Sequence, residues 1–233
     1  MENNVIFKKI LLQVLTVGNV LNADTKNFKR ADGFNLDSLS QVSRTKDVNN
    51  KINLLTYITS IIKTTDESIE TIRKQFPGVA ESSKILFSDV ANDVNKMKKK
   101  VKENCELLKN ITSTELYYSK LTKFYGDCSK EIDILDKDLT TVTEHFQKLI
   151  LFYGYTTDNS KYKNPEEFFE MIDKFLCEVE RHTPKSEIKK TFKGNNEKGA
   201  KVTTKNMDDV LKGIQQSRVL IEIPVERKLI KIG

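Results

Sequence analysis

The residues in this sequence that could act as nucleophiles or metal ligands are few and lie far apart. The 233 residues contain three cysteines, Cys105, Cys128 and Cys177, and two histidines, His145 and His182. Zinc sites need clustered cysteine and histidine ligands, and neither histidine stands near a cysteine pair with such spacing. Each cysteine falls at an apolar helical position, and their odd number excludes a complete disulfide framework. We therefore expect three buried thiols and no metal.

The carboxylates and glycines give no better indication of catalysis. The acids of one cluster are interleaved with lysines, which is typical of a solvated helix face; they are Glu131, Asp133, Asp136 and Asp138. The sequence has no glycine-rich phosphate loop, no His-Glu-x-x-His motif, no nucleophile elbow and no kinase signature. We expect a protein that is not an enzyme and that uses no cofactor.

The charge of the chain favours an acidic partner. The net charge is +6 and the pI is about 9.0, which suits nucleic acid, anionic lipid or an acidic protein surface. Five lysines lie together on one predicted helix: Lys96, Lys98, Lys99, Lys100 and Lys102. They form either a solvated face or a docking surface for an acidic partner. No aromatic residues are interleaved with them, so we expect no nucleic-acid partner.

No uninterrupted apolar run approaches the roughly 18–20 residues of a membrane span, and the N-terminus makes a poor signal peptide. The sequence therefore predicts a cytoplasmic protein without a membrane span.

Helical periodicity dominates the chain and predicts an all-α fold. Residues 5–17 form a first apolar helical pattern that Gly18 ends, and a second pattern runs from Lys51 to Ile62 with Asp47 and Asn50 as candidate start residues.

Two proline signals mark helix boundaries. Phe76-Pro77-Gly78 predicts a break between helices. Asn164-Pro165 predicts the start of a helix that ends near Pro184.

Two longer apolar patterns have a mean spacing close to 3.5 residues, which is typical of coiled coils and antiparallel bundles. The first consists of Leu86, Val90, Val94, Met97, Val101, Cys105, Leu108 and Ile111. The second consists of Cys128, Ile132, Leu135, Leu139, Val142, Phe146 and Leu149. We expect an elongated bundle of long antiparallel or coiled-coil helices. Between them, residues 115–125 form either a shorter helix or a bent continuation.

The C-terminal part of the chain differs in composition. Residues 186–205 are rich in lysine and poor in large apolar residues, which predicts a flexible basic linker. Residues 206–233 follow as a short amphipathic helix and a tail.

An ordered series of motifs resembles the formin homology 2 domain of formins. The first part of the series is Gly18-Asn19-Val20-Leu21-Asn22, Ala31-Asp32-Gly33-Phe34-Asn35-Leu36, Leu39, Thr45-Lys46 and Leu54-Leu55-Thr56-Tyr57-Ile58. The second part is Phe124-Tyr125-Gly126, Phe152-Tyr153-Gly154 and Pro165-Glu166-Glu167-Phe168-Phe169. The resemblance runs from about residue 5 to residue 185, and we expect residues 1–185 to form one partial domain.

This resemblance implies an all-helical actin-binding protein of the actin cytoskeleton. Domains of this family dimerise head to tail, nucleate actin filaments and remain at the barbed end during elongation. The matching region is the post with part of the coiled-coil segment, and the post receives the lasso of another formin chain. The resemblance places the lasso-receiving post at Gly18, Asn19, Asn22, Gly33 and Phe34. It assigns the family's actin-contacting lysine to Lys46.

The sequence also departs from the family pattern. The family's lasso, linker and knob precede the Gly-Asn-x-x-Asn motif, whereas this chain begins about seventeen residues before Gly18 and contains no tryptophan. We therefore expect either a fragment or a reduced formin that needs a lasso-containing chain for full activity. The alternative is a structural or interaction module that retains the fold without binding actin.

A second resemblance lies near the C-terminus. Met207, Asp208, Val210, Leu211 and Ile214 resemble the diaphanous autoregulatory motif. Its amphipathic helix docks in a groove of an N-terminal inhibitory domain, the usual helix-in-groove arrangement. Such a domain would act here in trans. A chance amphipathic helix is the alternative.

Overall fold

The computed structural model of the chain describes residues 1–23, 30–47, 50, 52–110, 117–156 and 162–185. These residues form α-helices and 3₁₀ helices, and they contain no strand, only one isolated bridge between Lys46 and Asn53. The α-helices are α1 (Val5–Asn22), α2 (Leu39–Val42), α3 (Leu54–Thr65), α4 (Val79–Ser82), α5 (Phe87–Leu108), α6 (Tyr118–Phe152) and α7 (Pro165–His182). The 3₁₀ helices are Leu36–Ser38 and Glu67–Gln75. The all-α prediction is confirmed.

Helix α1 begins where Asn4 caps it, since the Asn4 side chain accepts a hydrogen bond of 2.8 Å from the backbone N–H of Phe7. The prediction that Gly18 ends this helix is wrong, because α1 continues to Asn22 with Gly18 buried inside it. A glycine costs a helix only about 1 kcal/mol relative to alanine. Burial of Val17 and Leu21 on either side offsets that cost.

Helix α1 also bears on the predicted absence of a membrane span. By length and composition alone, its 18 residues would suffice to cross a membrane, and it is the one such helix among the residues described. Half of it is buried within the protein. Core helices of proteins that never enter a bilayer meet the same criterion.

Helix α3 starts later than predicted. Its cap is Asn53, whose side-chain oxygen accepts a 2.7 Å hydrogen bond from the N–H of Leu55, and not Asp47 or Asn50. The Asp47 carboxylate instead accepts from the N–H of Ile52 at 3.0 Å and closes the preceding loop. Asn50 has φ of 54°, whereas a helix cap is extended. Helix α3 therefore starts later than predicted because the Asp47 side chain bonds elsewhere and the backbone of Asn50 is not extended.

The described chain divides into two compact units. The first unit contains Met1–Ala80, Phe152–Gly154 and the chain from Phe169. In it, the inward face of α7 is fully buried at Ile172 and Val179. Thr59 of α3 donates a hydrogen bond of 2.9 Å to the carbonyl of His182 at the end of α7.

The second unit contains Glu81–Leu151 and Tyr155–Phe168. Its aromatic cluster centres on the fully buried Phe168, which makes edge-to-face contacts with Phe146, Tyr155 and Tyr162 at centroid distances of 5.6–6.4 Å. The carboxylate of Glu166 accepts a hydrogen bond of 3.3 Å from the N–H of Phe87. It thus satisfies one of the free donors at the start of α5.

Both proline signals predict the boundaries correctly. Phe76-Pro77-Gly78 separates the 3₁₀ helix that ends at Gln75 from α4, and α7 begins at Pro165 and ends before Pro184. Within the segment 115–125, the residues from Tyr118 onward belong to α6. The alternative of a separate short helix is therefore wrong.

The two long apolar patterns form α5 and α6, but only part of each pattern is buried. Four of their residues, Val94, Leu108, Ile132 and Phe146, are 4–8% exposed, whereas Val90, Met97, Leu135 and Val142 are 41–48% exposed. The three cysteines are half-buried, so the expectation of fully buried thiols is wrong. Cys105 and Cys128 lie on these incompletely covered helices, which leaves their thiols partly open.

The predicted Ile111 and the predicted segments 186–205 and 206–233 lie outside the described residues.

Candidate functional site

An open groove of about 750 Å³ runs along the C-terminal half of α1 in the first unit. One wall is the helix, and the other is the segment that returns after it. The lining residues are Leu12, Leu15, Thr16, Asn19, Val20, Asn22, Ala23, Arg30, Ala31 and Asp32.

Asn19 ties the two walls of the groove together. Its amide nitrogen donates to the carbonyl oxygen of Ala31 at 2.9 Å, and its amide oxygen accepts from the N–H of Ala31 at 2.8 Å. Both groups of one side chain therefore hold the backbone of one residue, as an extended strand partner would. The methyl group of Ala31 is buried, which fixes the returning segment against the helix.

The predicted post residues fall into two groups. Asn19 and Asn22 line the groove, and Asn22 is 5% exposed at the end of α1. Gly18, Gly33 and Phe34 are buried and do not line it. Phe34 lies two residues beyond the groove residue Asp32 and is 3% exposed. The burial of Phe34 holds the segment that follows Ala31 in place without contributing to the groove.

The groove combines apolar and polar lining. Leu12 and Val20 of α1 are 48% and 40% exposed, so the helix offers apolar surface to an incoming group. Arg30 and Asp32 are exposed on the opposite wall and carry opposite charges. This is the composition of a binding site for an apolar side chain with a polar margin.

Sequence reasoning missed the apolar residues of the groove. Leu12 and Val20 are eight residues apart, with Thr16 midway, and so share a second face of α1. Apolar residues outside the buried row of an amphipathic helix are the signal that would have found this face.

The backbone on both sides of Lys46 is held by hydrogen bonds. On one side of it, Thr45 accepts a 2.8 Å hydrogen bond from the N–H of Leu54, and on the other side the N–H of Asp47 donates to Ile52 at 2.9 Å. The side chain of Asn53 also donates to the carbonyl of Ser43. Lys46 itself is exposed and does not line the groove. The loop therefore presents its ammonium group to solvent from a fixed backbone.

The shifted pKa values of the first unit have structural causes. The Lys9 ammonium, 2.7 Å from the Asp66 carboxylate, and hydrogen bonds from Ser68 lower the pKa of Asp66 to about 2. Burial raises the pKa of the Tyr153 hydroxyl. Burial also raises the pKa of the Cys177 thiol, which keeps it protonated and poorly nucleophilic at neutral pH.

Among the residues with described positions, no group of three or more His, Cys, Asp or Glu side chains is arranged to hold a metal ion. The lysine run on α5 is exposed, and one member, Lys98, forms an ion pair of 2.7 Å with Asp136 of α6. The residues of the predicted autoregulatory motif, Met207, Asp208, Val210, Leu211 and Ile214, lie outside the described part of the chain.

Comparison with known proteins identifies relatives for most of the chain. The family model of the Formin Homology 2 Domain matches residues 1–180. Formin-F of Dictyostelium discoideum is 32% identical over 180 residues, which are 75% of this chain and 14% of that protein. Protein diaphanous of Drosophila melanogaster is 28% identical over 178 residues, which are 75% of this chain and 16% of that protein.

A human relative matches a longer stretch. The FH1/FH2 domain-containing protein 1 of Homo sapiens is 23% identical over 208 residues, 86% of this chain and 17% of that protein. The chain thus spans 14–17% of the length of these three curated relatives.

Proposed function

The chain belongs to the formin homology 2 domain family, and from that membership we propose that it is a non-enzymatic, actin-binding regulator of filament nucleation and barbed-end elongation. The observation that carries this proposal is the family match over residues 1–180. The motifs of the family resemblance stand in their expected order along the same stretch. Binding, with no cofactor, is the activity for which the groove is suited.

We further propose that the groove on α1 receives the lasso of another formin chain. Three properties support this role: the exposed apolar side chains of Leu12 and Val20, the polar margin at Arg30 and Asp32, and the walls held together by Asn19. The resemblance implies a tryptophan-bearing lasso, and an open groove of about 750 Å³ has room for a large side chain. Full activity would then need a lasso-containing partner chain.

Lys46 is the proposed contact to actin. Its loop is held by the hydrogen bonds of Thr45 and Asp47, so docking its exposed side chain costs little backbone entropy. A fixed ammonium group suits an acidic partner surface.

The regulatory proposal concerns Met207 to Ile214. If this segment docks as an autoregulatory helix, it does so in a groove of an N-terminal inhibitory domain supplied in trans. Actin as the partner would place the protein in the cytoplasm, at the actin cytoskeleton.

Assembly of fluorescently labelled actin tests the function directly. We expect the purified chain at micromolar concentration to alter filament nucleation or barbed-end growth, and to co-sediment with filaments. A folded chain with neither effect, alone or mixed with a lasso-containing formin chain, would disprove the actin function. That result would favour the alternative, a structural module with the formin homology 2 fold.

A further inference from the structure

Two of the three cysteines lie on the two long helices of the second unit. Cys105 is in the last turn of α5 and Cys128 is in the third turn of α6, and both side chains are half-buried. Cys105 follows the buried Val94 by eleven residues, which is close to three helical turns. Cys128 precedes the buried Phe146 by eighteen residues, which is five turns. Each cysteine therefore lies on the side of its helix that carries the buried residues.

The ion pair between Lys98 and Asp136 determines the direction in which the two helices run. Its charged atoms are 2.7 Å apart, so the two residues lie at nearly the same level. Helix α5 continues about 15 Å beyond Lys98, and α6 starts about 27 Å before Asp136. In a parallel pair, Leu108 and Tyr118 would be about 42 Å apart, which exceeds the roughly 36 Å that the ten Cα-to-Cα steps between them can span. The helices are therefore antiparallel.

The same ion pair places the two cysteines at one level. Cys105 is seven residues beyond Lys98, and Cys128 is eight residues before Asp136. In an antiparallel pair both steps lead in the same direction, so the two cysteines differ in height by only about 1.5 Å. The carboxylate of Asp133 also interacts with Lys98, and counting from Asp133 gives a difference of about 3 Å in the opposite sense. Both counts put Cys105 and Cys128 side by side.

We propose that Cys105 and Cys128 form a reversible disulfide bond that fastens α5 to α6, with glutathione disulfide as the oxidant. The axes of packed helices are about 8–10 Å apart, and each Cα atom lies about 2.3 Å from its axis. At an axial distance of about 10 Å, facing Cα atoms at one level are about 5 Å apart. This separation is within the roughly 4.4–6.8 Å that a disulfide bridges.

Thiol–disulfide exchange forms this bond in two steps. One protein thiolate attacks a sulfur of glutathione disulfide, which breaks the S–S bond and releases one glutathione thiolate. The second protein thiolate then attacks the protein sulfur of the mixed disulfide and releases the other glutathione thiolate. The two cysteines together lose two electrons and two protons, and the two glutathione molecules gain them. Half-burial leaves both thiols partly open to the reagent.

The bond would make the oxidised chain more stable than the reduced chain. It closes a loop that contains the connection between α5 and α6, and a closed loop restricts the unfolded chain. We expect the thermal midpoint to rise by at least about 5 °C on oxidation. Neither the groove on α1 nor Lys46 takes part in the bond, so this site and the proposed actin function can be tested independently.

Thiol titration of the full chain tests the proposal. We expect three reactive thiols after reduction and one after equilibration with excess glutathione disulfide, with a single-chain band on a non-reducing gel. Mass spectrometry after trypsin digestion should find residues 103–109 linked to residues 124–130. In concentrated urea the equilibrium constant for this bond should fall at least about tenfold, because the fold no longer holds the two thiols together.

Cys177→Ser is the matched control, since Cys177 is half-buried on α7. This variant should still form the bond, and its thermal midpoint should still rise on oxidation. Cys105→Ser and Cys128→Ser should each leave one thiol of the pair, which can form only a mixed disulfide with glutathione. The thermal midpoints of these two variants should not rise.

Three results would overturn the proposal. The first is that no protein disulfide forms at any ratio of oxidised to reduced glutathione. The second is a linked peptide that contains Cys177 or joins two chains in place of the expected one. The third is an equilibrium constant in urea as large as that of the folded chain, since the fold would then contribute nothing to the pairing.

Discussion

Asn19 has the most closely defined structural role of the predicted site residues. Its side chain makes two hydrogen bonds to the backbone of Ala31 and so sets the width of the groove. The family resemblance selected this residue for its motif position, and the structure supplies a physical reason for an asparagine there. Only an amide both donates and accepts through two neighbouring atoms.

Replacing Asn19 should therefore loosen the groove. We expect Asn19→Ala to lower the free energy of unfolding by about 1–2 kcal/mol, because two partly buried hydrogen bonds are lost. Urea denaturation would measure this change, with Gln13→Ala on the same helix as the control. Equal effects of the two variants would contradict the role of Asn19.

Lys46→Asp tests the proposed actin contact. The change reverses the charge of an exposed side chain on a fixed loop, so we expect weaker co-sedimentation with filaments and an unchanged thermal midpoint. A loss of about tenfold corresponds to about 1.4 kcal/mol. Lys84→Asp changes another exposed lysine and should retain binding. Equal binding by both variants would count against Lys46.

Asp66 makes a specific contribution to the pH dependence of stability. Its pKa in the folded protein is about 2, below the roughly 3.9 of an unfolded chain. A lowered pKa stabilises the folded state at neutral pH, and this stabilisation is lost as the pH falls from about 4 through 2.

We therefore expect Asp66→Asn to lower the free energy of unfolding by about 0.5–1 kcal/mol near pH 7, because the partly exposed ion pair with Lys9 is lost whereas asparagine still caps the helix that follows. The difference from the wild type should shrink towards pH 3. Denaturation at several pH values would measure it. A difference independent of pH would contradict this assignment.

At the scale of elements, local signals predicted some helix boundaries and missed others. Pro165 starts α7 and Phe76-Pro77-Gly78 interrupts the chain as predicted, because proline restricts the backbone wherever it stands. The end of the first helix at Gly18 and the start of α3 at Asp47 were predicted wrongly. Those residues have weak preferences that neighbouring packing or another side-chain hydrogen bond overrides.

A binding measurement can test the role of the C-terminal amphipathic segment. Leu211 is the central apolar residue of the predicted motif, and we expect Leu211→Ala to weaken binding of the full chain to a formin N-terminal inhibitory domain at least tenfold. Isothermal titration calorimetry would measure the affinity. Gln216→Ala, on the opposite face of the predicted helix, is the control. If Leu211→Ala binds within error of the wild type, the resemblance of this segment is a coincidence.

At the scale of the whole molecule, the chain matches the Formin Homology 2 Domain over residues 1–180 and spans 14–17% of the length of the three relatives compared above. The proposed lasso-receiving role of the groove predicts complementation in trans. We expect a lasso peptide from a formin to bind the full chain, and Val20→Glu in the groove to abolish that binding. Fluorescence anisotropy of a labelled peptide would measure it. Lys84→Asp should bind normally, and a peptide that binds Val20→Glu equally well would show that the groove is not the lasso site.

The sequence by itself determined the all-α fold, the two long helices and the family, because helical periodicity and an ordered series of motifs are properties of the linear chain. Only the tertiary structure decided which apolar row of each long helix is covered, where α1 ends and which residues form the groove. The buried and the exposed apolar residues of α5 and α6 recur with the same helical spacing, so periodicity alone cannot distinguish them. Burial depends on what packs against each row, and Asn19 became a groove-forming residue only when the chain returned to place Ala31 beside it.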